Sequence, residues 1–384
     1  MIAFPDVTLF TGGLFPRLLR RFGIAPLRAR NMSLVLLPVV AWLPLPILTA
    51  IGGRLLPGNL PSPFLQDISV HARLLVALPL LIVAGIVAEQ RLRPTVEQFV
   101  ARRLVPGEML PRFNAAIETA FRWGDSIVPD IVAIVVVYGV VTPVVWHAKV
   151  AQGSSSWFAE SATLSAAGMW FVFVSLPLFE FILLRWYYRL FIWARFLFGV
   201  SRLKLHLLPA HPDRVGGLGF LLIGTQGLAA FAFAHGALLA GWVANQVLFG
   251  GATLPEFKGE AVAVIVLVLL VTVLPLFAFV PNMLVTKRRG ELQYGALASH
   301  YVDAFDRKWL RDDAGDEGLI GSADIQSMAD MGATYELADR MRSIPVTMQL
   351  LVVFVVSTMA PALPLMLTVM PLKDILKKLA GVLV

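Results

Sequence analysis

Cysteine is missing from all 384 residues of the chain. That removes disulfides, thiolate nucleophiles, thiolate-bound zinc and iron–sulfur clusters. Charge is scarce as well: 15% of residues are charged, against 58% hydrophobic. A soluble domain carries about 25% charged and about 45–50% apolar residues. A core of this size cannot hide so much apolar surface beneath a polar skin, which excludes an ordinary soluble enzyme and a disordered chain. Enzyme motifs are absent too. There is no Gly-x-x-x-x-Gly-Lys-Ser/Thr, no His-Glu-x-x-His and no Gly-x-Ser-x-Gly. The six histidines are scattered, with no pair at i,i+3 or i,i+4. Neither a metal nor a cofactor is expected, and nucleotide-driven transport would need a separate chain.

What the chain does have is long apolar runs. A bilayer core of about 30 Å takes about 20 apolar residues in a helix. Seven runs qualify, at roughly 32–52, 74–90, 127–147, 163–184, 217–248, 261–285 and 346–370. They are apolar all round and lack the alternation of barrel strands. The predicted fold is an all-α polytopic transmembrane helix bundle of about seven spans. Residues 1–31 form an amphipathic N-terminal segment, 32–370 the membrane domain and 371–384 an amphipathic tail.

The net charge of +7 is unevenly spread. Residues 1–31 and the loops 91–126, 185–216 and 286–345 hold 25 of the 32 Lys and Arg. Basic residues mark the cytoplasmic side of a membrane protein. The expected setting is therefore a multi-pass inner (plasma) membrane protein with a cytoplasmic N-terminus and an outer C-terminus. Anionic lipid accounts for the charge without nucleic acid. The tail lysines Lys373, Lys377 and Lys378 conflict with an outer tail. Either the tail lies as an amphipathic helix on the outer surface, or the count is off by one. Residues 12–23 read as a basic interfacial anchor. No cleavable signal peptide is apparent.

The basic loops carry helical signals that predict a small membrane-proximal layer. Pro94 suits the first turn of a helix over 91–104. Residues 185–200 read as a basic aromatic helix at headgroup depth. The 286–345 segment begins by extending the sixth span, and two short helices follow near 323–331 and 334–342, capped by Ser322 and Thr334. The acidic run 312–318 lacks the ligand pattern of a calcium loop and reads as solvated.

Four features stand out inside or beside the spans. Leu-Pro-Leu recurs at 43–45, 78–80, 176–178, 274–276 and 363–365, and Pro79, Pro177 and Pro275 fall 98 residues apart. That spacing is either a threefold repeat of kinked hairpins or chance in a Leu- and Pro-rich chain. Asp130, Glu180 and His235 lie within spans, where charge is costly and tends to face the bundle interior or water. They are the candidates for an ion path or gate; the alternative is a buried Glu180–His235 pair that fixes packing. Ala232, Gly236 and Ala240 form a small-residue stripe, which marks the fifth span as a central helix or an oligomer contact, with lining a pore as the alternative. The turn containing His211, Asp213, Arg214, Gly216 and Gly217 lies where the chain re-enters the membrane. Asp213 can cap the fifth span, and the turn is either structural or a site for an anion or lipid headgroup.

Residues 210–220 (Ala-His-Pro-Asp-Arg-Val-Gly-Gly-Leu-Gly-Phe) and 322–330 (Ser-Ala-Asp-Ile-Gln-Ser-Met-Ala-Asp) are similar to uncharacterised bacterial polytopic inner-membrane proteins. The resemblance implies no function. From the residues alone, kinked spans, intramembrane Glu180 and His235 and little extramembrane mass point first to a channel or secondary transporter. It would carry a small ion or solute and work as a homo-oligomer in contact with membrane lipids. A sensor, scaffold or assembly subunit with a partner surface at 286–345 is the second reading. An enzyme acting on membrane-embedded substrates, with His211, Asp213 and Arg214 at the headgroups, is the third.

Overall fold

The computed structural model describes residues 26–58, 62–150, 156–160, 163–311 and 323–369. The 12–23 anchor, the acidic run, Ser322 and the C-terminal tail lie outside them. Among the described residues, α1 (Asn31–Ile51), α2 (Ile68–Ala101), α4 (Val128–His147), α5 (Ala166–Ser201), α7 (Ala229–Leu248) and α11 (Met348–Met366) are long and apolar enough to cross a bilayer. A seventh candidate crossing is the pair α8 (Leu254–Thr272) and α9 (Leu274–Leu310), bent by 43° where they meet, a geometry shared by broken spans and re-entrant loops. Between them lie α3 (Leu110–Gly124), α6 (Gly219–Gln226) and α10 (Ala323–Asp339). A two-residue hairpin, Ala159–Glu160 with Thr163–Leu164, precedes α5.

The chain is an all-α polytopic bundle. In the six straight spans only 22–50% of the apolar window is buried inside the protein. Val135 on α4 is 62% exposed, and Ile131 and Val132 beside it are also exposed. An apolar surface this continuous is stable against lipid and unstable against water.

Side-chain caps start several spans. Asp67 accepts from the Val70 N–H at the head of α2, Ser165 from Gly168 at α5 and Thr347 from Leu350 at α11. These satisfy amides that have no partner within the helix.

The prolines act through a device not visible in the sequence. Just before Pro79, Pro143 and Pro177 the helix widens into one π turn. There Leu78 N–H donates to Arg73, Thr142 to Val137 and Leu176 to Phe171, each five residues back. The wider turn accommodates a ring that has no N–H to give. At Pro275 the outcome differs: a 3₁₀ stretch, Leu274–Phe279, and the 43° bend. The three copies spaced by 98 residues therefore do not share one geometry. Pro143 has the π turn without the Leu-Pro-Leu triplet, so the device belongs to proline and not to a repeat.

Several boundaries differ from the sequence reading. The 91–104 segment continues α2, with Pro94 inside the helix instead of at its first turn. The basic aromatic segment 185–200 is the second half of α5. Residues 323–339 form one helix, and Thr334 bonds back to the Asp330 carbonyl in mid-helix instead of capping a second. The fifth span is broken: α6 stops at Gln226, and Ala229–Leu248 is the crossing piece. A side chain at Gly227 would run into Arg91 on α2, so close packing of α6 on α2 sets the break.

α7 is central, one of the readings of its stripe. It packs against α2, α8 and α11. A Cβ at Gly236 would collide with the Thr358 carbonyl on α11, and one at Gly241 with Ala72 on α2. The small residues are thus used within the chain.

The basic loops gather at one end. Phe99 on α2 packs edge-on against Phe220 with ring centroids 5.0 Å apart, and also meets Phe113 of α3 and Phe279 of α9. α9 runs on from the α8–α9 bend and pairs with α10. There Lys308 Nζ lies 2.8 Å from Asp324 Oδ2, and the Trp309 indole donates to the same oxygen. The Lys308 hydrogen bond, helped by that of Trp309, holds the Asp324 carboxyl below its usual range.

Candidate functional site

The polar residues of the spans fall into two groups. The first is a file running from the short-loop end into the bundle. Asp67 Oδ1 accepts from Asn245 Nδ2 of α7 at 2.9 Å, and Oδ2 accepts from the Trp157 indole at 3.0 Å. Asn245 returns a bond, its Oδ1 accepting from Ile68 N–H at 2.8 Å. One turn further along α2, His71 Nδ1 is 3.0 Å from the Trp42 indole nitrogen and Nε2 is 3.1 Å from the Phe64 carbonyl. An indole only donates and a carbonyl only accepts. His71 is therefore the neutral tautomer with its proton on Nε2.

Arg73 follows, on the π turn of α2. Its guanidinium carbon is 5.7 Å from the centroid of the Phe179 ring on α5. It lies within electrostatic reach of both Asp67 and Glu180. Glu180 and Arg73 face each other without a direct ion pair. No hydrogen bond joins Glu180 to a described residue, and Arg73 Nε is buried with no partner among them. Two α5 turns on, Tyr187 lies within reach of Glu180, and its hydroxyl is 2.7 Å from His235 Nε2 on α7. His235 Nδ1 is 3.0 Å from the Phe231 carbonyl, so Nδ1 donates and Nε2 of the neutral ring accepts from Tyr187.

The file therefore reads Asp67, Arg73, Glu180, Tyr187, His235. It brings together Glu180 and His235, two of the residues singled out by sequence. The direct Glu180–His235 hydrogen bond considered above does not form; Tyr187 stands between them. Arg73 lies one residue before the second apolar run, so hydropathy alone does not place it in a span. Asp67 supplied the missed signal, a helix-capping residue that moves the start of α2 back to 68.

The second group holds Asp130. It is fully buried and forms a 2.7 Å ion pair with buried Arg185 of α5. Arg189 and Glu89 lie within electrostatic reach of this cluster. The structure thus places Asp130 in a packed ionic joint between α4 and α5, apart from the file.

The re-entry turn forms a third arrangement. Asp213 Oδ1 accepts from Val215 N–H at 2.9 Å and Gly217 N–H at 3.1 Å, while Oδ2 accepts from Gly219 N–H at 2.9 Å. His211 Nδ1 is 2.9 Å from Asp213 Oδ1. Gly216 and Gly217 have φ of 70° and 97°, which glycine adopts without strain. Arg214 has φ 56°, and its carbonyl accepts from Arg342 N–H beyond α10 at 2.8 Å. The Asp213 carboxylate occupies the cradle of amides where the sequence suggested an external anion. It caps α6, not the crossing helix α7. Asp213→Ala would leave three amides without their acceptor. We expect a loss of about 3 kcal/mol, in line with charge-assisted bonds of this kind, read as an earlier thermal transition of the detergent-solubilised protein. An unchanged transition would show that the turn is held by something else.

Compared with family models, with curated proteins and with solved structures, the chain matches none. Fold and site together define its class: a multi-pass helical membrane protein with an internal file of polar side chains.

Proposed function

We propose that the protein is a membrane transport protein, a channel or secondary transporter, that moves a small ion or solute along the file between α2, α5 and α7. The observation that carries this reading is the Arg73–Glu180 pair. Two opposite charges face each other inside apolar spans, with no direct bond and with one buried guanidinium nitrogen unsatisfied. Structural ion pairs in apolar surroundings close up, as Asp130 and Arg185 do. A pair left open offers both charges to a polar traveller, whereas the closed joint offers neither. In this reading the basic end lies in the cytoplasm, the host membrane is the bacterial inner membrane, and membrane lipids and further copies of the chain are the partners.

Purified protein in liposomes should carry flux above empty vesicles under Na⁺, K⁺, Cl⁻ or proton gradients. Glu180→Gln and Arg73→Gln should each change that flux about tenfold or more, equivalent to about 1.4 kcal/mol in a binding or barrier term. Flux equal to that of empty vesicles under all four gradients would remove the ion-transport form of the proposal.

One observation favours a second reading, a scaffold with a partner surface. Leu292 and Leu310 on the α9–α10 arm are 70% and 74% exposed at the basic end. Co-purification of a stoichiometric partner, lost on deleting 312–343, would favour it.

A further inference from the structure

Two grooves flank the second half of α5, and they share lining residues. The first, about 600 Å³, opens between α5 and the α8–α9 bend. It is lined by Tyr187, Leu190, Leu270, Leu274, Pro275 and Ala278, and it ends at Arg195 and Phe198. The second, about 470 Å³, opens between α3 and α5. Its lining includes Arg112, Thr119 and Trp123, and again Arg195 and Phe198. Both volumes fall within the roughly 300–1,000 Å³ typical of small-molecule sites. Arg195 and Phe198 therefore stand where an apolar slot meets a basic cleft.

The slot follows from the bend. Pro275 cannot donate to the carbonyl four residues back, and the 3₁₀ stretch tilts α9 by 43° relative to α8. The cleft follows from α3, an amphipathic helix that buries Phe113 and Ile117 and turns Arg112 and Thr119 toward α5. Its position is set by Tyr188, whose hydroxyl donates to the Trp123 carbonyl at 3.1 Å, and by Trp123 stacked on Phe191 at 6.4 Å. The Arg195 guanidinium sits over the Trp123 ring, 4.3 Å from its centroid. No acidic side chain pairs with Arg112 or Arg195 among the described residues. Tyr, Trp and Arg side chains of this kind belong at headgroup depth.

We propose that slot and cleft form one site for an anionic phospholipid, with an acyl chain in the α5–α8–α9 slot and the phosphate between Arg112 and Arg195. Charge complementarity selects the occupant. An apolar tail fits the slot, and the two guanidinium groups of the adjoining cleft, neither paired with an acid among the described residues, call for a phosphate. A zwitterionic lipid also brings a tail and a phosphate, but its ammonium group offsets the charge beside two guanidinium groups, and a free anion leaves the slot empty. This site is separate from the polar file and stands whether or not the protein transports.

The test is native mass spectrometry of the full chain in detergent, titrated with phosphatidylglycerol, phosphatidylcholine and inorganic phosphate in separate arms. Wild type should retain phosphatidylglycerol in preference to phosphatidylcholine. The R112Q/R195Q pair should bind phosphatidylglycerol about thirtyfold more weakly, the scale of two lost headgroup charges, with phosphatidylcholine binding changed far less. Ala278→Trp, which leaves both charges but fills the slot, should also lose phosphatidylglycerol. The exposed pair R288Q/R289Q, with the same charge change elsewhere on the basic end, should keep it. Equal retention of the two lipids would overturn the proposal. So would an equal loss in R288Q/R289Q, or an unchanged affinity in both R112Q/R195Q and Ala278→Trp. Displacement of the lipid by inorganic phosphate alone would show a free-anion site and overturn the lipid assignment.

Discussion

Asp130→Leu, with Arg185 left in place, should cost about 3–5 kcal/mol of stability, the scale for stranding one charge of a buried pair. Both side chains are almost completely buried, and the contact is 2.7 Å. Without the carboxylate, two arginines, Arg185 and Arg189, would share one cluster in which Glu89 is the remaining acid named within reach of Arg189. Arg185→Leu should cost a similar amount, for the mirror reason. Asp130→Leu combined with Arg185→Met removes both charges together. That double variant should recover most of the loss, because well-packed apolar residues can replace a buried pair at little cost. Thermal unfolding in detergent, followed by size-exclusion recovery, gives the order wild type, double, then singles. If the double variant is as unstable as the singles, the joint contributes through packing shape and not through charge.

Gly236→Leu should yield no folded protein, and Gly236→Ala should already lose about 3 kcal/mol, at the upper end of ordinary overpacking costs. The reason is what lies opposite. A Cβ at Gly236 meets the Thr358 carbonyl, with its carbon at 2.8 Å and Cα at 3.1 Å. These are backbone atoms of α11, so no rotamer change can make room. The two helices would have to separate, and α7 sits at the centre of the bundle with α2 and α8 on its other sides. Gly139→Ala is the control: a Cβ there meets nothing within 4 Å, and such surface changes stay within about 0.5 kcal/mol. Monodisperse yield and the thermal midpoint of the three variants read out the difference. A Gly236→Ala variant as stable as Gly139→Ala would mean that α7 and α11 are not locked at this point.

These two joints differ in how far the sequence announced them. The small residues of α7 could be read as a close-packing stripe, and Asp130 was visible as a charge inside a span. Their partners were not visible. Nothing in the order of residues says that Thr358 faces Gly236, or that Arg185, placed by sequence in a cytoplasmic loop, is the cation that neutralises Asp130. The same holds in the file. Glu180 and His235 were conspicuous as polar groups in apolar runs, while Tyr187, which stands between them, looked like one more interfacial aromatic.

The sequence by itself determined the class of fold, the places of the apolar runs and the uneven spread of charge between them. Each of these is a sum over neighbouring residues: transfer of about 20 side chains into lipid, or a tally of Lys and Arg between runs. Tertiary structure alone decided where α2 begins functionally, how each proline is absorbed, and which polar groups meet. Those outcomes depend on the rotation, depth and bend of one helix against another. A single residue of π turn shifts every later side chain by about 100°, and such a shift separates a charge that faces lipid from one that faces Glu180.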